Sequence, residues 1–239
     1  MIARGFVEAG ARVYISARKA DAVSQAVNEL SAIGECIGVP ADLGTPDGVA
    51  KLSAAVAEKE KSLHVLVNNA GATWGAPLEE FPGSGWDKVM DINVKGPFFV
   101  MQRLLPLLEA AGTAEDPARV INIGSVDGLR TPSFDTVSYG PSKAALHALT
   151  SQLAAKLVRR NIILNAIAPG PFPTWMLSTG VGTGGDVEGT DWDALGRSMP
   201  RGRIGTPEDI AGLAIFLSSR AGAFTVGAVI TCDGGAVVS

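Results

Sequence analysis

Apolar residues recur along the chain in two alternating rhythms. Six short runs rich in Val and Ile are apolar nearly throughout: ARVYISA (11–17), ECIGVPA (35–41), LHVLVNNA (63–70), ARVINIGS (118–125), NIILNAIA (161–168) and GAVITCDG (227–234). Between them lie ADAVSQAVNELSAI, GVAKLSAAVAEKE, GWDKVMDINVKGPFFVMQRLLPLLEAA and SKAALHALTSQLAAKLV, whose apolar positions return every three to four residues, the spacing of a helix with one buried face. A strand apolar on both sides must be covered on both faces, and a helix between successive strands lets them run parallel. The pattern therefore predicts one doubly wound α/β domain over 1–239, a parallel sheet flanked by helices with no internal linker. Such sheets place ligands beyond the carboxyl ends of their strands. VLVNNAG (65–71), NIGS (122–125) and IAPG (167–170) set small or polar residues at that edge.

Composition narrows the function classes. With 239 residues, 46% hydrophobic and 18% charged, the chain is long enough to bury a substantial core. A net charge of -4 and the lack of a Lys/Arg cluster argue against nucleic acid or an anionic membrane as partner. Residues 161–185 carry no charge, but Pro169, Pro171, Pro173 and five glycines there exclude a membrane helix. The opening MIARGFVEAGAR has no apolar stretch of secretory length. Cys36 and Cys232, isolated in the sequence, read as reduced packing residues of a cytoplasmic protein. His64 and His147 lack metal-like spacing and read as structural, so no metal is expected.

The candidate chemistry lies in SYGPSKAALHAL (138–149). Tyr139 and Lys143 are four positions apart and so share a helix face. Such a pair on its own is commonly a surface contact. An ammonium beside a phenol also favours the phenolate, drawing its ordinary value near 10 toward neutrality. Ser125, at the preceding strand end, is placed to hydrogen-bond a carbonyl oxygen as charge develops on it. These are the parts for reducing a carbonyl or oxidising the alcohol, with the hydride coming from a cofactor.

Taken in order, VLVNNAG, DINVKGPFF, VINIGSVDG, SYGPSKAAL, NAIAPGPFPTWM and CDGG make the whole chain resemble the short-chain dehydrogenase/reductase family, with its Rossmann-like fold. Within it the chain is most similar to 3-oxoacyl-[acyl-carrier-protein] reductases of the rhamnolipid type, judging from GATWGAPLEEFP, INIGSV and APGPFPT. The resemblance implies that Ser125, Tyr139, Lys143 and Asn93 are catalytic, Asn93 holding a water in a proton relay to Lys143. It implies cofactor contacts from Asn69, Ala70 and Gly71 on the adenosine ribose side and from Asp42 and Leu43 at the adenine. Tyr139 and Lys143 join the cofactor site, and Pro169, Gly170, Phe172 and Thr174 lie at the nicotinamide. Asn93 alone would read as a helix-bending residue, the Asn-Gly run as an ordinary loop, and Asp42 as part of a helix N-cap region. Ala17 stands where an acidic residue would accept from a ribose 2′-hydroxyl, and Arg18 follows it; a guanidinium suits a 2′-phosphate, so NADP(H) is expected over NAD(H). The implied substrate is a small-molecule or acyl-carrier-bound carbonyl, in fatty acid metabolism, and the implied assembly a homotetramer or homodimer.

The chain departs from the family at its start. Neither the family's first strand nor its turn T-G-x-x-x-G-I-G is present, and MIARGFVEAGARVYIS reads as the helix that follows them. The cluster GVGTGGDVEG (180–189) follows no strand and reads as a loop rather than a displaced phosphate cradle. Two expectations follow: Met1 is internal to a longer active protein, or the chain is a catalytically silent subunit. Residues of about 175–205, with Trp175, Met176, Leu177 and Trp192, are expected to form a substrate lid, bordered by Trp74 and Asp127, or else simply to pack as a long loop. Other secondary alcohols or ketones, such as sugars, steroids or xenobiotics, remain alternative substrates.

Overall fold

The structure, a computed structural model, describes residues 1–131, 135–179 and 189–239. Each apolar run contains a strand: β1 Val13–Ile15, β2 Cys36–Gly38, β3 Val65–Asn68, β4 Ala118–Ile123, β5 Ile162–Pro169 and β6 Val229–Cys232. The helices are α1 Ile2–Glu8, α2 Ala20–Ser31, α3 Pro46–Lys59, α4 Gly83–Met90, α5 Gly96–Ala111, α6 Tyr139–Leu157, α7 Trp175–Thr179, α8 Trp192–Arg197 and α9 Pro207–Ser218. All strand pairings are parallel, and the expected α/β architecture is observed. The stretch 180–188 of the glycine cluster lies outside the described residues, as does that part of the expected lid.

The strands divide into two sheets. One has the order β3-β4-β5-β6; the other is the pair β1-β2. The difference shows in burial. β4 and β5 are buried along almost their whole length, whereas the equally apolar Val65, Leu66 and Val67 of β3 and all of β1 are only partly buried.

Helices cover the larger sheet as its two-sided hydrophobicity requires. On one face α5 and α6 enclose Met101, Leu108, Val120, Leu157 and Leu164; on the other α9 seals Ile121, Ile167 and Ile210. Local chemistry sets several helix starts. Thr45, not Asp42, caps α3, its hydroxyl accepting from Gly48 N–H at 3.1 Å. Thr206 and Asp209 form a reciprocal capping box at α9. The periodic stretch from Gly85 to Ala111, read as one helix, is in fact interrupted by a π-helical turn, Asp91–Lys95. Cys36 packs with Val7 and Leu30, and burial pushes both free thiols up, as expected of packing residues.

Candidate active site

β4 ends in Ile123-Gly124-Ser125, and the backbone turns at once into a short 3-10 segment, Val126–Gly128. Ser125 is the cap of that turn: its Oγ accepts from Asp127 N–H at 3.1 Å. Tyr139 opens α6, its N–H bonded to Thr136 O at 2.9 Å. One turn further, Lys143 is 4% exposed and its Nζ donates to Ile123 O at 2.8 Å. The strand end carrying Ser125 and the helix face carrying Tyr139 are thus tied by the lysine itself, with Nζ 5.6 Å from the Tyr139 ring centroid.

Asn93 sits inside the π-turn and is fully buried. Its Oδ1 accepts from Ala72 N–H at 2.8 Å, and its Nδ2 donates to Ala72 O and Ser142 Oγ, both at 2.9 Å. Ser142 Oγ donates in turn to Tyr139 O at 2.7 Å. The extra residue of a π-turn re-aims a side chain that a regular helix would direct elsewhere. Here it lets one amide clamp the loop after β3 to the first turn of α6. The backbone-binding reading of Asn93 is therefore satisfied by its side chain.

Burial governs the electrostatics. Desolvation pushes the Tyr139 phenol up to about 12; the Ser125 hydroxyl opposes this by favouring the phenolate, and the Asp127 carboxylate adds to it. Desolvation lowers Lys143 to about 8. Acidification of the phenol by its helical neighbour is therefore corrected here: Lys143 Nζ donates to Ile123 O, and burial of the ring raises the phenol instead. Asp127 is itself raised by burial, with Arg130 pulling the other way.

Ser125, Tyr139 and Lys143 open onto a cavity of about 1640 Å³. Along its walls lie the predicted Arg18, Leu43, Asn69, Ala70, Gly71, Pro169, Gly170, Phe172 and Thr174, with Trp175, Met176 and Leu177 of α7. Phe172 is 7% exposed and its ring packs into the core beside Ile121 and Ile167. Asp42 is off these walls; its Oδ1 accepts from Gly44 N–H at 3.0 Å in a local turn. Asp127 borders the space as expected, but Trp74 and Trp192 do not: Trp74 lies against Gly85 with Lys88 Nζ 5.0 Å above its ring. Among the described residues there is no metal-ligand cluster.

Sequence reasoning read His147 as structural but did not single out the other members of a second buried polar set. Asn68 Nδ2 donates to Asn122 Oδ1, and Asn122 Nδ2 to Thr150 Oγ1, each at 2.8 Å. His147, 6% exposed, fills the space between Gly124 and Gly128, where neither ring nitrogen has a well-formed hydrogen bond. Burial, then the Lys143 charge, lower its pKa and keep it neutral. Polar residues inside Val/Ile runs, and positions four and eleven after Tyr139 or Lys143 on one helix face, are the signals that mark them.

A family model described as Enoyl-(Acyl carrier protein) reductase matches residues 1–237. The chain belongs to the short-chain dehydrogenase/reductase family. It is an oxidoreductase by that membership. Among short-chain relatives, the rhamnolipids biosynthesis 3-oxoacyl-[acyl-carrier-protein] reductase of Pseudomonas aeruginosa is 49% identical over 235 residues, 98% of this chain and 90% of the relative. Gluconate 5-dehydrogenase of Gluconobacter oxydans is 35% identical over 240 residues, covering 100% and 90%. The solved Pseudomonas aeruginosa RhlG/NADP active-site complex superposes with a TM-score of 0.89 at 48% identity, over 98% of this chain and 90% of that one. A gluconate 5-dehydrogenase from Burkholderia cenocepacia, solved with NADP and tartrate, gives 0.85 at 29% identity over 100% and 90%.

Proposed function

We propose that this chain reduces a ketone to a secondary alcohol with NADPH, its substrate being a 3-oxoacyl thioester delivered on an acyl carrier. The observation that carries the reading is the meeting of Ser125, Tyr139 and Lys143 on one wall of the cavity. The same cavity is also lined by the exposed Arg18, by Asn69–Gly71, and by Pro169, Gly170, Phe172 and Thr174. Those are the groups an NADP molecule needs: a cation for the 2′-phosphate, close backbone for the ribose, and a reacting end beside proton donors. The relatives' reported NADP complexes support the same assignment.

Bound there, the reduced dinucleotide supplies the hydride. The Ser125 hydroxyl donates to the substrate oxygen and steadies the charge that grows on it. Tyr139 gives that oxygen its proton. A phenol held at about 12 is protonated at neutral pH, which suits donation to an alkoxide. Lys143 lies where its charge steadies the phenolate left behind. The apolar Trp175, Met176 and Leu177 are placed to cover an acyl chain. The reading assigns the enzyme to the cytoplasm as the homodimer or homotetramer that the family resemblance implies.

The test is NADPH oxidation with an acetoacetyl thioester. Replacing Tyr139 by Phe is expected to lower kcat by about 10²–10⁴-fold, the usual worth of a positioned general acid, with NADPH still bound. An undiminished rate overturns the assignment, and a wild-type chain that binds neither NADPH nor thioester supports the silent-subunit alternative. A second reading, turnover of hydroxylated acids, rests on Asp127, a carboxyl able to accept from substrate hydroxyls, and on the two gluconate 5-dehydrogenase relatives. Higher kcat/KM for 5-ketogluconate than for the thioester would select it.

A further inference from the structure

Beside the reacting hydroxyls stands a carboxylate that the proposed reaction does not use. Asp127 lies two residues beyond Ser125 on the 3-10 turn Val126–Gly128. That turn is pinned to the serine twice: Asp127 N–H donates to Ser125 Oγ at 3.1 Å and Gly128 N–H to Ser125 O at 3.0 Å. The backbone carrying the carboxylate is thus fixed relative to the residue that grips the substrate oxygen. Asp127 is partly buried and lines the cavity together with Ser125 and Tyr139. Among the described residues nothing donates a hydrogen bond to its carboxylate, which leaves that charge to act on whatever occupies the cavity.

The two cations nearest in the fold are engaged elsewhere. Arg130 is exposed, and its Nη1 donates to Ala236 O at 2.8 Å; water screens a guanidinium so placed. Lys143 Nζ donates to Ile123 O at 2.8 Å. The field of Asp127 does reach the reacting centre, because it is one of the causes that raise the Tyr139 phenol by disfavouring its anion. A negative charge on the substrate next to the ketone meets the same repulsion. Apolar residues of the wall, such as Val126 and Met176, displace water and so lessen the screening.

We propose that Asp127 is a charge filter, restricting the site to 3-oxo compounds whose carboxyl group is esterified and turning away the free 3-oxo acid. This deepens the reading of the site as a ketone reductase and rests on it. In a 3-oxo acid a single carbon separates the carboxylate from the ketone carbon. When Ser125 and Tyr139 hold the ketone oxygen, that carboxylate lies close to the turn that carries Asp127. An ester or thioester in the same place is neutral and is not repelled. Selection then comes from a repulsive element against the wrong substrate, not from an added contact to the right one. Charge growing on the reacting oxygen is common to both compounds, so it cancels from their ratio.

The test compares acetoacetate with its methyl ester, two probes that differ in this charge, on the full 239-residue chain and on Asp127→Asn. The substitution removes the charge at nearly constant shape and keeps the backbone bond to Ser125. Dissociation constants come from ligand-observed NMR, and kcat/KM from NADPH oxidation at pH 7. The unaltered chain is expected to favour the ester by about tenfold in both, the worth of a partly screened like charge, and Asp127→Asn to bring the ratio within about threefold. Arg130→Gln removes the opposite charge and is expected to widen the ratio. A ratio that Asp127→Asn leaves unchanged, an unaltered chain that treats the two probes alike, or failure to bind the ester overturns the filter. A binding ratio that responds to Asp127 while neither probe is reduced upholds the filter and removes the reductase reading. Reduction of both probes with no response to Asp127 does the reverse.

Discussion

Lys143 connects the chemistry and the stability of the site through one buried ammonium. Its pKa in the folded chain is about 8 against the ordinary 10.5, so between those values the unfolded chain holds more protons. Linkage then makes stability rise with pH across about 8 to 10.5, by up to roughly 3 kcal/mol for a shift of this size. Reduction, which uses the ammonium, is expected to do the reverse, with kcat/KM falling above pH 8. Urea unfolding and initial rates over pH 7–10 check the two opposed slopes; parallel slopes would show that the ammonium is not used. His147 gives a second test. A methyl group at Gly124 would collide with its imidazole, and one at Gly128 would come within 2.8 Å of it. Gly124→Ala is expected to cost about 1–3 kcal/mol through overpacking and to lower kcat by shifting Ser125. Because the two positions touch, His147→Ala should recover part of the loss in a double-mutant cycle.

At the scale of elements, two helix ends show how differently local sequence and tertiary demand operate. The α9 start is local. Thr206 Oγ1 and Asp209 bond reciprocally, and Arg203 closes a fork on the same carboxylate at 2.6 and 3.0 Å, holding it well below the usual carboxylate range. Thr206→Ala is expected to cost about 1 kcal/mol, read as a lower denaturation midpoint with unchanged m-value and little effect on kcat. The Asp91–Lys95 π-turn is a tertiary matter. Nothing in the periodicity of 85–111 marks it, because the bonds it makes from Asn93 run to Ala72 and Ser142, 21 and 49 residues away.

For the whole molecule, the division of the strands sets the order in which it opens. A two-stranded ribbon is only marginally stable by itself, and β1-β2 shares no strand pairing with β3–β6. The amides of Ile37 and Val39 are therefore expected to exchange through openings of lower free energy than those of Val120, Ile121 and Leu164 in buried β4 and β5. Native-state hydrogen exchange at low denaturant reads this directly. A single common opening energy would show instead that the helices unite the two sheets into one cooperative unit.

The sequence determined the elements and the chemistry. Both-sided apolar runs specified parallel strands because only a covered sheet buries them, and the four-residue spacing of Tyr139 and Lys143 specified a shared helix face. It also placed Ser125 at a strand end. What the sequence left undecided depended on neighbours distant in the chain. Only folding put Ile123 O against Lys143 and buried the phenol, spent the Asn93 amide on Ala72 and Ser142, and directed Trp74 toward Gly85 rather than into the cavity. Tertiary structure also split β1-β2 from the remaining strands. A sequence records which faces are apolar, but pKa values and strand pairing depend on which groups exclude water from one another in space.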